Sequence, residues 1–476
     1  MHMFIDGKEV AAVDDRWTDV TNPATGEVLD RIPLGSETDV DAAVESADAA
    51  FVPWSKKTTR ERGLILYRAA ELVRLQHQNL ARQLTLEQGK PLKEAIDEVR
   101  GFANILEYYA AIAGKPAGEA IHLGNAGDCM VTREPLGVCG AIIPWNMPVL
   151  IMGWKAGPAL LAGNTLVLKP ATATPLTNLK IAAILRDAGV SPGVLNVVTG
   201  PGETVGAALV KHPLVRKISF TGDCATGHTI RTLAEHQFKE ITLELGGSDP
   251  MIVMDDADID RAVEGALRGR FYNAGQICSA VKRLYLHEKI AADFIKKLKA
   301  RTENLKAGNG LMPDSDIGPM TRKESLARIC AQVEAVTAKN EGTVLCGGDT
   351  IHGKDYERGF FYKPTLVTDV ACESALLTNE IFGPVLPIVT IRDLESAIAE
   401  ANRTRYGLGA SVWTKDLGTV KRVYREVKAG IIWVNRHLTV PPEVPFGGMN
   451  ESGIGRENGY HALDSYTRTK TLYLGW

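Results

Sequence analysis

The sequence predicts an α/β protein made of two successive parallel-sheet units, and three observations carry that prediction. From residue 138, short β-rich runs alternate with helical segments. A second alternating set begins after the pair Gly246 and Gly247. Ahead of both, residues 38–115 keep a helical spacing of apolar residues. Alternation of strand and helix argues for βαβ units, because a parallel return needs a crossover.

In chain order, "DVDAAVESADAAF" and "ERGLILYRAAELVRLQ" set Ala, Val and Leu at three- and four-residue spacing among Glu and Arg, the pattern of amphipathic helices. "GVCGAII", "NTLVLKP", "GVLNVVTG" and "VRKISFTG" read as strands of the first unit. "LTNLKIAAILRDAG" and "GETVGAALVKH" read as the helices between them, and "ITLELGG" ends a further strand at Glu244. The second unit runs "DPMIVMDDADI", a helix, "RLYLH", helices to about 340, then "TLVTDV", "LPIVTI", "ASVWT" and "GIIWVN". The most apolar stretch, about 138–169, is broken by Pro144, Asn146, Pro148, Lys155, Pro158 and Asn164. It lacks the roughly 20 clean apolar residues of a membrane span and reads as buried core. The tail "YTRTKTLYLGW" reads as a strand without a local partner, the kind of edge that docks on a neighbouring subunit.

Composition narrows the function classes. The chain has 476 residues, 45% hydrophobic and 23% charged, as folded soluble proteins do. A net charge of -3 gives no basic footprint for nucleic acid or for an acidic membrane. The seven cysteines are widely spaced, odd in number and free of any CxxC pair. They predict reduced thiols in a cytosol, with neither a disulfide frame nor a zinc site. The start, "MHMFIDGKEV", has no apolar run of the signal-peptide kind, so the expected location is cytoplasmic.

Ligands of open α/β sheets sit at the carboxyl ends of the strands. Asn146, Lys169, the Gly-rich turn "TGDCATG" and Glu244 all fall at such ends. Cys278, in "FYNAGQICSA", follows a Gly-containing bend and precedes an apolar run. A thiol there either fills an apolar gap or serves as a nucleophile.

Seven stretches taken together are more specific: "PWNMP", "GPALLAGNTLVLKP", "FTGDCATG", "LELGGSDP", "FYNAGQICSA", "EIFGPVLP" and "PFGGMNESGIGRE". In this order, and over nearly its whole length, the chain resembles the aldehyde dehydrogenase superfamily. Glu244 precedes Cys278 by 34 residues, the family separation. The resemblance implies an aldehyde dehydrogenase-like fold of two Rossmann-like α/β domains plus a small β oligomerisation arm. Residues 1–116 and 138–247 would form the dinucleotide-binding domain, 117–137 and 461–476 the arm, and 248–460 the catalytic domain. It implies oxidation of an aldehyde to a carboxylic acid with NADP or NAD, without a metal, by a homodimer or homotetramer.

The resemblance also implies roles. Cys278 is the expected nucleophile, Asn146 the oxyanion donor beside the Cys278 backbone N–H, and Glu244 the base that activates water on the thioester. Lys155 stands where the family has a lysine that relays that proton. The expected cofactor residues are Ile143, Pro144, Trp145, Asn146, Lys169, Ala171 and Thr172, with Gly202, Gly206, Phe220, Thr221, Gly222, Asp223 and Leu245. Glu380 is the expected binder of the nicotinamide ribose, and Phe382 the residue that packs on the ring. Asp223 replaces the family's usual Ser, and a carboxylate beside a pyrophosphate is unfavourable unless it turns away or meets a cation. Thr172 stands where NAD-preferring members often carry Glu, which predicts good use of NADP with NAD usable too.

Members that oxidise succinate semialdehyde carry two arginines, eight residues after the oxyanion Asn and six before the Cys. Here those positions hold Trp154 and Tyr272. Two aromatics make an apolar slot where a guanidinium would grip a carboxylate. Met147, Ile151, Ile277 and Phe446 are the expected walls, and Ser279, Arg436 and His437 the expected polar groups. The expected substrate is a neutral aromatic or aliphatic aldehyde; the alternatives are a polar or anionic semialdehyde, or CoA-acylating chemistry. Glu244 argues against the CoA-acylating relatives, which lack the base. Cys278 and Glu244 together argue against a non-catalytic relative.

Overall fold

The computed structural model describes residues 1–115 and 118–475. The predicted boundary between the first domain and the arm, at 116 and 117, and the last residue of the arm, 476, lie outside the described residues.

One sheet has eight strands in the order Gly453–Ile454, Glu240–Glu244, Val215–Thr221, Val138–Ile142, Thr165–Lys169, Leu195–Val197, Met3–Ile5 and Lys8–Val10. The run from Glu240–Glu244 to Leu195–Val197 is parallel. Val138–Ile142 and Thr165–Lys169 are buried at every residue. Helices cover both faces of such a sheet, so its strands read as continuous apolar runs without alternation. Val138–Ile142 comes first of the parallel strands in the chain, yet lies between Thr165–Lys169 and Val215–Thr221. The strand order reverses there. The crevice beyond Ile142 and Thr221 is thus a topological switch point, the place where α/β sheets bind ligands.

The predicted helical region contains Glu37–Ser55, Thr59–Leu75, His77–Gln88 and Leu92–Ala111. Thr58 and Glu61 cap the second of these reciprocally, with Thr58 N–H donating to Glu61 Oε2 at 2.7 Å. The apolar stretch after residue 138 holds the helix Pro148–Ala162, which is buried almost throughout. Its first free amides, Val149 and Leu150, donate to Glu98 Oε1 at 2.8 and 3.1 Å. A carboxylate from another helix therefore caps it, as the positive end of the helix favours.

The second sheet has seven strands in the order Thr343–Cys346, Thr365–Thr368, Val385–Ile391, Val281–His287, Asp249–Val253, Gly409–Trp413 and Ile431–Val434. Cys278 lies three residues ahead of Val281, at the amino end of this sheet. Glu244 lies at the carboxyl end of its strand in the first.

Three features differ from the sequence expectation. The strands Met3–Ile5 and Lys8–Val10 extend the first sheet; three residues each are too few for a periodic signal. The tail is not an unpartnered edge: Thr467–Leu474 pairs antiparallel with Asp128–Pro135 over eight positions, and that strand pairs with Glu119–His122. Finally, Gly453–Ile454, expected in the catalytic domain, pairs with Leu243 and Glu244 of the first sheet. This seals the edge beside Glu244.

Candidate active site

The nucleophile loop is held by its own backbone. Asn273 and Ala274 both have φ near +52°, in the left-handed region, and both are buried. For Ala this conformation is strained and persists because its surroundings fix it. Asn273 N–H donates to Glu94 Oε2 at 2.8 Å, and its Nδ2 donates to the Asn146 carbonyl at 2.9 Å. Asn146 Nδ2 in turn donates to the Gln276 carbonyl at 2.9 Å. One amide hydrogen of Asn146 is thereby engaged and the other is free. Beneath them, fully buried Lys90 pairs with Glu98 and donates to the Asn146 carbonyl at 2.9 Å. The Cys278 loop and the Asn146 loop are thus one hydrogen-bonded unit.

Cys278 is half-buried in the wall of a cleft of about 1170 Å³. Burial pushes its thiol up to about 12, Lys282 opposes this, and Glu244, Asp249 and Glu380 reinforce it. At neutral pH the resting group is therefore the thiol, and attack requires loss of its proton.

Glu244 is buried, 2% exposed, and does not line the cleft. Neither carboxyl oxygen has a hydrogen-bond partner. Burial, and then the neighbouring Glu457, hold its carboxyl well above the usual range against the pull of Lys155 and Arg456. It is a neutral acid in this conformation. Lys155 is also fully buried and off the cleft: its Nζ meets Glu457 Oε1 at 2.5 Å and Ser219 Oγ at 2.9 Å.

On one side the cleft is lined by Ile143, Pro144, Trp145, Lys169 and Ala171, then by Gly202, Phe220, Thr221, Gly222 and Asp223, with Glu380 and Phe382. Trp145 and Phe382 meet edge to face at 5.6 Å. The ammonium of Lys169 is held down to about 8 by burial and has one acceptor, the Pro170 carbonyl at 3.0 Å. Nothing lies within 4 Å of the position a Cβ would take on Gly202. Asp223 turns its carboxylate onto its own helix, Cys224–Leu233, accepting from Thr226 N–H at 2.9 Å and Thr226 Oγ1 at 2.8 Å. It acts as the helix cap, and this resolves its apparent conflict with a phosphate.

Three expected cofactor residues stand off the cleft wall. The Thr172 hydroxyl donates to the Gly200 carbonyl at 3.1 Å, so it is already engaged. Gly206 backs the Lys169 stem, where a Cβ would make ordinary contact at 3.7 Å. Leu245 is buried in the core against Gly227.

On the other side Met147, Ile151, Trp154, Tyr272, Ile277 and Phe446 line the cleft, with Ser279. Trp154 packs at a tilt against Phe446, with ring centroids 5.1 Å apart. His437 does not line it. Its Nε2 donates to the Ser279 carbonyl at 2.8 Å, so Nδ1 accepts from Ser411 Oγ at 2.9 Å. Burial holds this imidazole down to about 4, making it a neutral brace behind Ser279 and not a substrate contact. Arg436 is also absent from the wall.

A family model described as the aldehyde dehydrogenase family matches residues 10–472. The chain is 41% identical to the phenylacetaldehyde dehydrogenase of Pseudomonas fluorescens, over all of this chain and 96% of the relative. The structure of an NADP-dependent enzyme from E. coli superposes with a TM-score of 0.97 at 38% identity, covering 100% of this chain and 97% of that one. The NAD+ complex of an aldehyde dehydrogenase from Bacillus cereus does so with a TM-score of 0.97 at 38% identity, covering 100% and 96%.

The chain belongs to the aldehyde dehydrogenase family. It is an NAD(P)-dependent aldehyde dehydrogenase, an oxidoreductase that converts an aldehyde to a carboxylic acid. The cleft fits the dinucleotide of this aldehyde dehydrogenase chemistry: a buried ammonium with spare donors, an open glycine and the partly accessible Glu380 carboxylate line one wall. Residues that escaped the sequence reading include Glu457 and Arg268. Glu457, the partner of Lys155, lies 302 positions away in a stretch read only as a motif. Arg268, exposed on the helix Ile259–Phe271, lines the cleft with its guanidinium 5.8 Å from the Tyr272 ring. It sits one helical turn before Tyr272, and that spacing was the available signal.

Proposed function

We propose that this aldehyde dehydrogenase oxidises neutral aromatic or medium-chain aldehydes through a thioester on Cys278. The observation that carries the reading is a single cleft whose wall includes Cys278, the Trp154–Phe446 pair and Tyr272, and also Lys169, Gly202 and Glu380. Cys278 Sγ gives its proton to solvent water in the cleft and attacks the carbonyl carbon. The free Asn146 amide hydrogen and the Cys278 backbone N–H stabilise the oxyanion, an interaction worth roughly 3–4 kcal/mol. Lys169, Ala171, Gly202, Gly222 and Glu380 would hold the cofactor, which when bound supplies the hydride acceptor that leaves a thioester on sulfur. Glu244 must then give up its proton and turn into the cleft to activate water. Gly447, against Glu244 Oε1, leaves the space a side chain would fill. The Lys155–Glu457 pair offers that proton a buried route.

Residues 1–116 and 138–247, with the Gly453–Ile454 strand, would form the dinucleotide-binding domain, and 248–460 otherwise the catalytic domain. The arm exposes Ile121, Leu123, Met130, Leu472, Tyr473 and Leu474. Apolar area of this kind on a β edge favours a homodimer or homotetramer. Among the described residues no helix is long and apolar enough to cross a membrane.

The test is chemical. Loss of activity on iodoacetamide treatment should follow alkylation of Cys278, and Cys278→Ala should lose oxidation while still binding NAD. Inactivation without alkylation of Cys278, or turnover by the alanine variant, refutes the assignment. A second reading, an ω-carboxylated aldehyde, is favoured by Arg268 in the cleft wall. A kcat/KM for succinate semialdehyde above that for phenylacetaldehyde, lost in Arg268→Ala, would select it. The neutral reading expects at least a tenfold preference the other way, since burying an unpaired carboxylate costs several kcal/mol.

A further inference from the structure

Lys282 is the second residue of the strand Val281–His287 and lies four positions after Cys278. Its side chain is fully buried. The ammonium donates to the Cys278 carbonyl and to the Ile277 carbonyl at 3.0 Å, and forms an ion pair with Glu380 Oε1 at 3.1 Å. Two backbone carbonyls and one carboxylate oxygen thus surround it. The same Glu380 oxygen also accepts from Gly247 N–H at 3.2 Å. The other oxygen, Oε2, lies against Gly246, where any Cβ would collide with it. Glu380 is thus held by its inner oxygen and by a glycine wall, while its side chain, 19% accessible, still reaches the cleft.

We propose that Lys282 is a positioning residue whose ammonium fixes the Cys278 loop and the Glu380 carboxylate in one register, so that nucleophile and cofactor carboxylate are built on a shared cation. This rests on the roles proposed above for Cys278 and Glu380. The carbonyls of the two peptides that flank the Cys278 Cα are gripped by the group that pairs with Glu380. A shift of one is therefore felt by the other.

Electrostatics point the same way. The titratable groups facing the thiol are Lys282 on the strand that follows it, Asp249 on the neighbouring strand, Glu244 at the end of the first sheet, and Glu380. The three carboxyl groups raise the thiol and Lys282 lowers it. Without Lys282, only groups that oppose the thiolate remain among these four. The lysine also draws down the buried Asp249, which burial still holds up at about 7.

The experiment uses the full-length chain without cofactor. Wild type, K282M, K282R and E380Q are compared by the site of iodoacetamide labelling, by its rate from pH 6.5 to 9.5, and by NAD affinity from tryptophan fluorescence. K282M should label Cys278 at least tenfold more slowly at pH 8, with the rate curve displaced upward by about one pH unit, the same tenfold expressed as acidity. It should bind NAD at least tenfold more weakly, and K282R should recover both to within threefold of wild type. Adding K282M to E380Q should weaken NAD binding little further. If K282M does not fold, E380Q/K282Q, which removes both charges together, is read against E380Q for the labelling profile. A folded variant in which either property stays within twofold of wild type overturns the shared-cation role. Inactivation of wild type without alkylation of Cys278 would instead overturn the assignment of Cys278, a separate result.

Discussion

Removing Lys155 should expose how the buried acids are balanced. Lys155 and Glu457 have side chains 0% and 3% accessible, and they meet at 2.5 Å. Lys155→Met leaves Glu457 with only Ser219 as donor and faces it with Glu244, a second unpaired carboxyl. Breaking a buried pair by deleting one partner typically costs about 3–5 kcal/mol, because the other charge is left uncompensated. At low pH the stranded Glu457 takes up a proton and the cost shrinks. The sign follows from linkage: the folded variant binds more protons than the unfolded chain, so its stability falls as pH rises. Urea unfolding at pH 5.5 and pH 8 should show the larger deficit at pH 8. Glu457→Gln added to Lys155→Met should recover at least 2 kcal/mol. Activity should separate from stability, since the double variant still lacks the group that draws Glu244 down, and its kcat should rise with pH at least one unit later than in wild type. A Lys155→Met variant within 1 kcal/mol of wild type at pH 8, or with the same deficit at both pH values, would refute this reasoning.

Two further outcomes are expected. Thr172→Glu should lower kcat/KM for NADP at least tenfold more than for NAD, because a carboxylate there repels the 2′-phosphate and about 1.4 kcal/mol suffices; equal losses would trace the effect to the broken Gly200 contact instead. Glu94 is raised from 4.5 to about 8 by burial, so the folded state holds a proton that the unfolded chain releases, and stability falls as pH rises from about 4.5 to 8. Glu94→Gln keeps an acceptor for Asn273 N–H and should gain up to about 3 kcal/mol on wild type between pH 5 and 7.5; parallel urea midpoints across that range would contradict it.

How much of this was legible in the sequence depended on the range of the contact. Strand ends are local, so Asn146, Lys169 and the Thr221–Asp223 turn could be read from periodicity, and the reversal of strand order brings them to one crevice. Cys278 needed the family resemblance, because a lone thiol carries no local signature. Glu457 and Lys282 were missed because their partners are set by tertiary packing: one meets Lys155 across the chain, and the other is a lysine inside a buried strand. His437 was misread for the same reason, since its position near Cys278 is real but its ring faces Ser411 and the Ser279 carbonyl. The two-residue strand at Gly453 is shorter than any pattern can register.

The central claim, a thioester on Cys278 that Glu244 helps to hydrolyse, is tested most directly with Glu244→Gln. This variant keeps the shape of the side chain and removes its basicity. Mixed rapidly with phenylacetaldehyde and cofactor, it should release about one equivalent of NAD(P)H per site and then stall. Intact-protein mass spectrometry of the stalled enzyme should find the acyl group, mapped to Cys278. Normal steady-state turnover by the variant, or a stalled enzyme without an acyl adduct, would contradict the account.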